Sequence, residues 1–468
     1  MRRGESVLPP FDPWRSCRVA ADVAAASHAG TDALAARQAR RLKELLVIAA
    51  HGSALYRRLL KGRDPAGARL QDLPVMRKAD LMRHFDDWVT DPELRLDALR
   101  RFTADPALVG EPFLGRYVVW ESSGSSGEQG IFVQDASAMA VYDALEALRR
   151  PVLKPLQRWL DPWGLGERSV FVGATGGHFA STVSVERLRR RNPLLARRLH
   201  SVSFLQPLQA LVAELNTLAP TTIATYPSAA VLLAEERLAG RLKIAPQAMW
   251  TGGETLSPAM RAFVQQAFGC PVVNSYGASE FLSLASECLH GGLHLNSDWV
   301  ILESVDDRGH PVTAGKAGAT TLLTNLANHV QPLIRYDPGD GLTLHSQGCA
   351  CGSHLPVVEV QGRSDDTLRL GRPGAHAVRV LPLAVSTVLE DDAGLFDFQL
   401  VQKGPRELLL STGLRGQAGS SALRRARAVL AAFLAQQGAA GVHIHCRSGQ
   451  PGRRGRSGKV QRVIAPPP

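Results

Sequence analysis

QAMWTGGETLSPAMRAFVQQAFGCPVVNSYGASE, residues 247–280, decides the fold class. Two short apolar runs, QAMWTGG (247–253) and PVVNSYG (271–277), read as strands. Between them SPAMRAFVQQAF (257–268) reads as a helix, with Ser257 suited to cap it and Pro258 to its first turn. The same alternation extends upstream. SVFVG (169–173) and TTIATY (221–226) read as strands, and PLQALVAELNTL (207–218) and SAAVLLAEERLAG (228–240) as helices. Strands alternating with amphipathic helices predict an α/β architecture around a buried sheet.

On either side of this block the pattern changes. Residues 1–30 read as irregular and Ala-rich. Leu42, Leu45, Leu46, Ala49, Tyr56, Leu59 and Leu60 recur at helical spacing and predict a helix from about Thr31 to Leu60. LPVMRKADLMRHF (73–85) reads as a turn and a short helix. Short strands and turns predominate from 293 to 362. The tail then reads as a small α+β unit: strand RELLLST (406–412), helix SALRRARAVLAAFLAQQ (421–437) and strand GVHIHC (441–446). The expected division is a large N-terminal domain, 1–362, of α/β layers plus a β-rich subdomain, and a small mobile C-terminal domain, 363–468.

The chain has 468 residues and 45% apolar content, enough for two or three domains with sizeable cores. It has no uninterrupted apolar run of transmembrane length, and no apolar run follows the first arginines, so the expectation is a cytoplasmic protein with no membrane partner. The formal net charge of +11 suits an anionic partner such as a nucleotide, coenzyme A, an acidic carrier protein or nucleic acid. The competing reading is scattered Arg in a basic proteome. Nucleic acid is not expected, because RSGQPGRRGR (447–456) has no aromatic interleaving and no helix-turn-helix or zinc-finger spacing is found.

ESSGSSGEQG, residues 121–130, follows the apolar run YVVW. Gly124, Gly127 and Gly130 allow positive φ and close approach of a ligand. Ser122, Ser123, Ser125 and Ser126 add hydroxyl donors, and free N–H groups in such a bend form a concavity for phosphate oxygens. It is not a Walker A loop, since GxxxxGK[ST] is absent. Taken alone it reads equally well as a flexible surface loop.

Read in order with GGETLS (252–257), NSYGASE (274–280), RYDPGD (335–340), GRSDD (362–366) and SGKVQR (457–462), the segment takes on a meaning. This series resembles the adenylate-forming superfamily of acyl-CoA synthetases, luciferases and adenylation domains. The phenylacetate–coenzyme A ligase branch is the most similar, through LPVMRKADL and the CACG element before GRSDD. The resemblance covers roughly residues 70–462. It implies that a carboxylic acid, aromatic or cyclic in that branch, is joined to AMP from ATP with release of pyrophosphate. The acyl group would then pass to a thiol, most simply that of coenzyme A, with a carrier-protein thiol or an amine as alternatives.

Roles follow by resemblance. Ser122, Ser123, Gly124, Ser125, Ser126 and Gly127 would grip the β- and γ-phosphates. Glu280 would hold Mg²⁺, a cation that prefers oxygen ligands. Gly252, Gly253 and Glu254 would line the adenine side, with Ser275, Tyr276 and Gly277 forming an adenine or acyl wall. Asp340 would accept from the ribose hydroxyls, and Arg363 would contact ribose or phosphate. Lys459 would bring a cation to the α-phosphate and carboxylate. The acid would lie near Tyr276, with walls from ATGGHFA (174–180) and ATYPSAA (224–230), where His178 and Tyr226 read equally as packed core residues.

The sequence departs from the family pattern at two places. Glu128 and Gln129 stand where the family often carries Lys, and an acid beside a triphosphate is unfavourable. This leaves open a degenerate homologue that binds nucleotide without catalysis. After GRSDD comes TLRLGRPG, so the hinge falls at Asp365 or Asp366. Separately, Cys288 and His294, with Cys349 and Cys351, supply three thiolates and an imidazole, a set suited to structural Zn²⁺. His290 and His354 are alternative ligands, and free thiols in turns are the competing reading. A homodimer is an open option.

Overall fold

A computed structural model describes residues 11–122, 129–153, 161, 166–306, 308–313, 318–345, 348–363, 366–371, 378–380, 382–452 and 460–465. The N-terminal stretch is not irregular, as expected above, but contains a helix, Pro13–Ser27. The reason is local. The Asp12 carboxylate accepts from the Arg15 N–H at 3.0 Å, and Pro13 needs no N–H partner in the first turn. The expected helix from Thr31 to Leu60 is two helices, Thr31–Gly52 and Ala54–Leu59. Ser53 is extended between them, and its hydroxyl caps the second by accepting from the Tyr56 N–H at 3.3 Å.

A buried ionic knot fastens these helices to the body. Asp298 is fully buried and takes both ends of the Arg149 guanidinium, at 2.7 and 2.9 Å. Arg41 approaches the same carboxylate at 3.4 Å and also pairs with Asp22. Desolvation holds the Arg41 guanidinium below its ordinary pKa despite these acids. Removing one member of such a cluster strands buried charge and costs about 3–5 kcal/mol. Asp298→Ala should lower the urea midpoint by a corresponding amount; a loss under about 1 kcal/mol would mean the knot contributes no net stability.

Strands β1 (Val118–Glu121) and β2 (Ile131–Gln134) form a hairpin. Nine further strands build the main sheet: β3 (Ser169–Gly173), β4 (Leu199–Ser203), β5 (Thr222–Thr225), β6 (Ala248–Gly252), β7 (Val272–Ala278), β8 (Phe281–Glu287), β9 (Leu293–Leu295), β12 (Asp340–His345) and β13 (Val357–Arg363). Their order is β12-β13-β9-β8-β7-β6-β5-β3-β4. The strands from β4 to β7 are parallel, and from β7 to β12 each pairing is antiparallel. β10 (Val300–Val305) and β11 (Thr320–Asn325) make a separate ribbon.

Parallel strands need covered faces. On one face Val170, Val172, Ile223 and Met249 pack against Leu211, Leu233 and Val264 from helices Leu208–Leu218, Pro227–Leu238 and Pro258–Phe268. The last helix starts as expected, with the Ser257 hydroxyl 3.1 Å from the Met260 N–H. A second core, around Trp88, Trp120, Tyr142 and Phe281, joins the N-terminal helices, the hairpin and the antiparallel strands.

Beyond β13 lie β14 (Leu368–Leu370), β15 (Val378–Val380), β16 (Gln399–Gly404), β17 (Glu407–Ser411), β18 (His443–Arg447) and β19 (Val463–Ile464). The sheet β18-β17-β16-β19 packs on helix Gly416–Gln436 around a third core, from Leu368 to Val463. Sequence reading found β17, the helix and β18 but not β16, whose VQKG end lacks an apolar alternation. In this mixed α/β molecule, the carboxyl ends of β6 and β7 open toward the β7–β8 turn, the edge at which open α/β sheets bind ligands.

Candidate active site

The β7–β8 turn carries the acid expected to meet Mg²⁺. Glu280 is 6% exposed, and its Oε1 accepts from the Tyr336 hydroxyl at 2.7 Å. Its backbone carbonyl accepts from Asn325 Nδ2 at 2.9 Å, and the preceding Ser279 carbonyl accepts from Trp120 Nε1 at 2.7 Å. Three separate segments therefore hold this acid, Tyr336 at its carboxylate and Asn325 and Trp120 at the backbone around it. Four residues earlier, the Tyr276 hydroxyl donates to Asp340 Oδ2 at 2.5 Å. NSYGASE and RYDPGD thus meet at two points, both made by a tyrosine and an acid. Sequence reading named Tyr276, Asp340 and Glu280 but missed Tyr336, although it lies inside a quoted motif.

Gly277 sits between these contacts at an irregularity in the β7–β8 register. A Cβ there would lie 2.0 Å from the Leu282 carbonyl oxygen, so only glycine fits. Gly253 follows β6 with φ +77°, which turns the chain toward Glu254. Ser275 is opposite Gly252, and its hydroxyl donates to the Thr251 carbonyl at 3.2 Å. Arg335, the first residue of RYDPGD, points away from the site: it is buried and donates to the Leu73 carbonyl at 2.7 Å, holding the LPVMRKADL segment.

Glu254 is already engaged. One oxygen accepts from the Ser228 N–H and the other from the Val460 N–H, each at 3.0 Å. Its carboxylate therefore ties the carboxyl end of β6 to the C-terminal unit. Lys459, the neighbour of Val460, lies outside the described residues. Asp340 and Arg363 are opposite each other in the β12–β13 register. Of the phosphate loop, Ser122 is described: its N–H donates to the Gly130 carbonyl at 2.8 Å, and its hydroxyl accepts from the Gly130 N–H at 2.9 Å. Ser123, Gly124, Ser125, Ser126, Gly127 and Glu128 lie outside the described residues. Gln129 donates to the Glu121 carboxylate at 2.6 Å.

A cavity of about 880 Å³ runs along the other face of the parallel sheet. Phe171, Ala224, Trp250 and Gly252 line it from the sheet, with helices Ala136–Leu148 and Ala180–Arg191 opposite. It reaches Ser275 and Gly277 at the β7 end. Tyr226 lines it too; burial pushes its phenol up to about 12. His178 is fully buried, with Nε2 2.9 Å from the Asp105 carbonyl and its ring edge-on to Phe102, so it is a packed histidine.

The ligand atoms of Cys288, His294, Cys349 and Cys351 all lie within 4.8 Å of one another. Cys288 Sγ and Cys349 Sγ are 3.7 Å apart, and Cys351 Sγ is 3.2 Å from His294 Nε2. His294 Nδ1 lies 2.8 Å from the Leu355 carbonyl, which fixes the ring with Nε2 toward the sulfurs. His290 and His354 are not in this group.

Residues 199–320 match the family described as AMP-binding enzyme. Protein CapK of Staphylococcus aureus is 26% identical over 199 residues, which is 42% of this chain and 42% of that protein, so the chain matches less than half of that relative. Among solved structures, 2-hydroxyisobutyryl-CoA ligase in its postadenylation state, bound to R3-HIB-AMP, gives a TM-score of 0.67 at 20% identity, covering 92% of this chain and 89% of that one. The same ligase in its thioesterification state, with 2-HIB-AMP and CoA, gives 0.54 at 19% identity over 94% and 91%.

Proposed function

We infer that this chain, which carries an AMP-binding enzyme domain on an adenylate-forming ligase fold, activates a carboxylic acid as acyl-AMP and passes the acyl group to a thiol. The observation that carries this reading is the meeting of Glu280, Tyr336, Tyr276 and Asp340 beside the carboxyl ends of β6 and β7. In the first half-reaction a carboxylate oxygen attacks the α-phosphorus of ATP and pyrophosphate leaves. Such a reaction depends on positioning and charge neutralisation more than on covalent help from the protein. Glu280 would hold Mg²⁺, which would neutralise the phosphates; Tyr336 orients that carboxylate. Asp340, steered by Tyr276, would accept from the ribose, and Arg363, opposite it on the facing strand, would contact ribose or phosphate.

The phenylacetate–coenzyme A ligase resemblance supports an aromatic or cyclic acid as the finer reading. The cavity leaves room for more than one ring, since a space of about 150 Å³ suffices for benzene. Coenzyme A is the first acceptor to test, because CoA ligases share the fold; a carrier-protein thiol is the alternative. ATP–pyrophosphate exchange across a panel of aryl and cyclic acids tests the reading. Acid-dependent exchange is expected. Nucleotide binding without exchange for any acid would favour the degenerate homologue that Glu128 suggests.

The Cys/His group supports a structural Zn²⁺ as a further part of this reading. Three sulfurs and one oriented imidazole nitrogen at these separations fit a closed tetrahedral set. It would clamp the β8–β9 turn to the segment before β13, leaving no open position for chemistry. Purified protein should contain about one equivalent of zinc, and chelation should lower its melting temperature. Metal-free protein of unchanged stability would reject the site.

A further inference from the structure

The positive charge is not scattered. Residues 1–400 contain 42 Lys+Arg and 42 Asp+Glu, so they are formally neutral. Residues 401–468 contain 12 Lys+Arg against Glu407 alone; with Asp365, Asp366, Glu390, Asp391, Asp392 and Asp397 included, the C-terminal unit 363–468 holds 16 Lys+Arg and 7 Asp+Glu, so +9 of the net charge of +11 belongs to it. Its distribution there is also uneven. Helix Gly416–Gln436 buries Leu423, Ala426, Leu430 and Leu434 and exposes Arg424, Arg425 and Arg427 among small alanines. Arg415 at its N-terminus and Arg447 on β18 are exposed as well. Arg415 lies beside Gly449, just past β18, and Arg427 is within electrostatic reach of Cys446 on β18. The helix and this edge strand therefore share one basic side. Among the described residues, no carboxylate pairs with any of these five arginines.

We propose that this side of the C-terminal unit docks an acidic protein that carries the acceptor thiol on a flexible arm. The inference rests on the acyl-AMP reading above and names the partner for its second half-reaction. Arg415 to Arg427 alone spans about 18 Å of helix, roughly two Debye lengths at physiological ionic strength. A compact ligand such as free coenzyme A meets only part of that span, whereas an acidic helix or sheet face meets all of it. Arginines without a carboxylate partner, on a side where Glu407 meets His445 and Asp397 accepts from the Gly413 N–H, also steer an anionic partner before contact. The larger domain, 1–362, carries a net charge of only +2, so the net attraction draws the partner to the unit that carries Val460 onto Glu254. Once there, the thiol sulfur attacks the acyl carbon, the acyl–oxygen bond to AMP breaks, the thiol proton passes to solvent and AMP leaves.

The test uses the full chain and a purified acidic acyl carrier protein bearing a phosphopantetheine arm. Arg424→Glu/Arg425→Glu/Arg427→Glu should raise KM for the carrier tenfold or more at low salt and move KM for coenzyme A less than twofold. Added salt should erase the difference between wild type and variant. Binding of the same carrier, followed by fluorescence titration without turnover, should weaken in parallel. Equal effects on carrier and coenzyme A, no salt-sensitive carrier binding, or tighter binding of duplex DNA than of the carrier would overturn the proposal. Salt-sensitive carrier binding that the triple variant loses, in a protein with no pyrophosphate exchange, would uphold the docking surface while rejecting the acyl-AMP reading.

Discussion

Glu280→Gln should reduce Mg²⁺-dependent pyrophosphate exchange about 10³-fold, or roughly 4 kcal/mol of transition-state stabilisation. The substitution is close to isosteric. A Gln side-chain oxygen can still accept from the Tyr336 hydroxyl, and the backbone contacts from Asn325 and to the Ser279 carbonyl are untouched. The melting temperature should therefore stay near that of the wild type, which separates loss of charge from loss of fold. Tyr336→Phe removes the orienting hydrogen bond and should cost about 1.5–3 kcal/mol in the same assay. Exchange within threefold of wild type in Glu280→Gln would remove this carboxylate from the metal role, whatever the activity of Tyr336→Phe.

Much of this site was legible in the sequence because its parts are local. β6, its helix and β7 announce themselves through apolar runs, an N-cap and a proline, and the structure places each within a residue or two. What escaped is what depends on distant partners. Tyr336 gains its meaning from Glu280, which is 56 residues away in sequence. Glu254 was expected at adenine, yet both its oxygens already take backbone N–H groups, one of them more than 200 residues further along the chain. The Pro13–Ser27 helix escaped for a different reason: an alanine-rich stretch hides its apolar face, and Asp12–Pro13 was the available signal. The charge asymmetry was countable from the start but acquires weight only once the basic residues are seen to share one small unit.

Lys459→Ala should separate the two half-reactions. Val460, its neighbour, is held on Glu254 at 3.0 Å, so the chain enters the site from the C-terminal unit at this point. Gln461 donates to Asp366 at 2.5 Å, tying the same segment to one of the two hinge candidates; Asp365, the other, lies outside the described residues. If Lys459 neutralises charge at the α-phosphate in this arrangement alone, the variant should lose about 10²–10³ in adenylation rate. Thioester formation from supplied acyl-AMP should change less than about threefold, because the C-terminal unit would by then have turned the lysine away. Equal losses in both steps would contradict the two-arrangement scheme. They would also make the Asp366–Gln461 and Glu254–Val460 contacts permanent fastenings of a single catalytic form. An Asp366→Pro variant separates these alternatives: it should arrest a rotating unit after adenylation, whereas a fixed unit would lose both steps or neither.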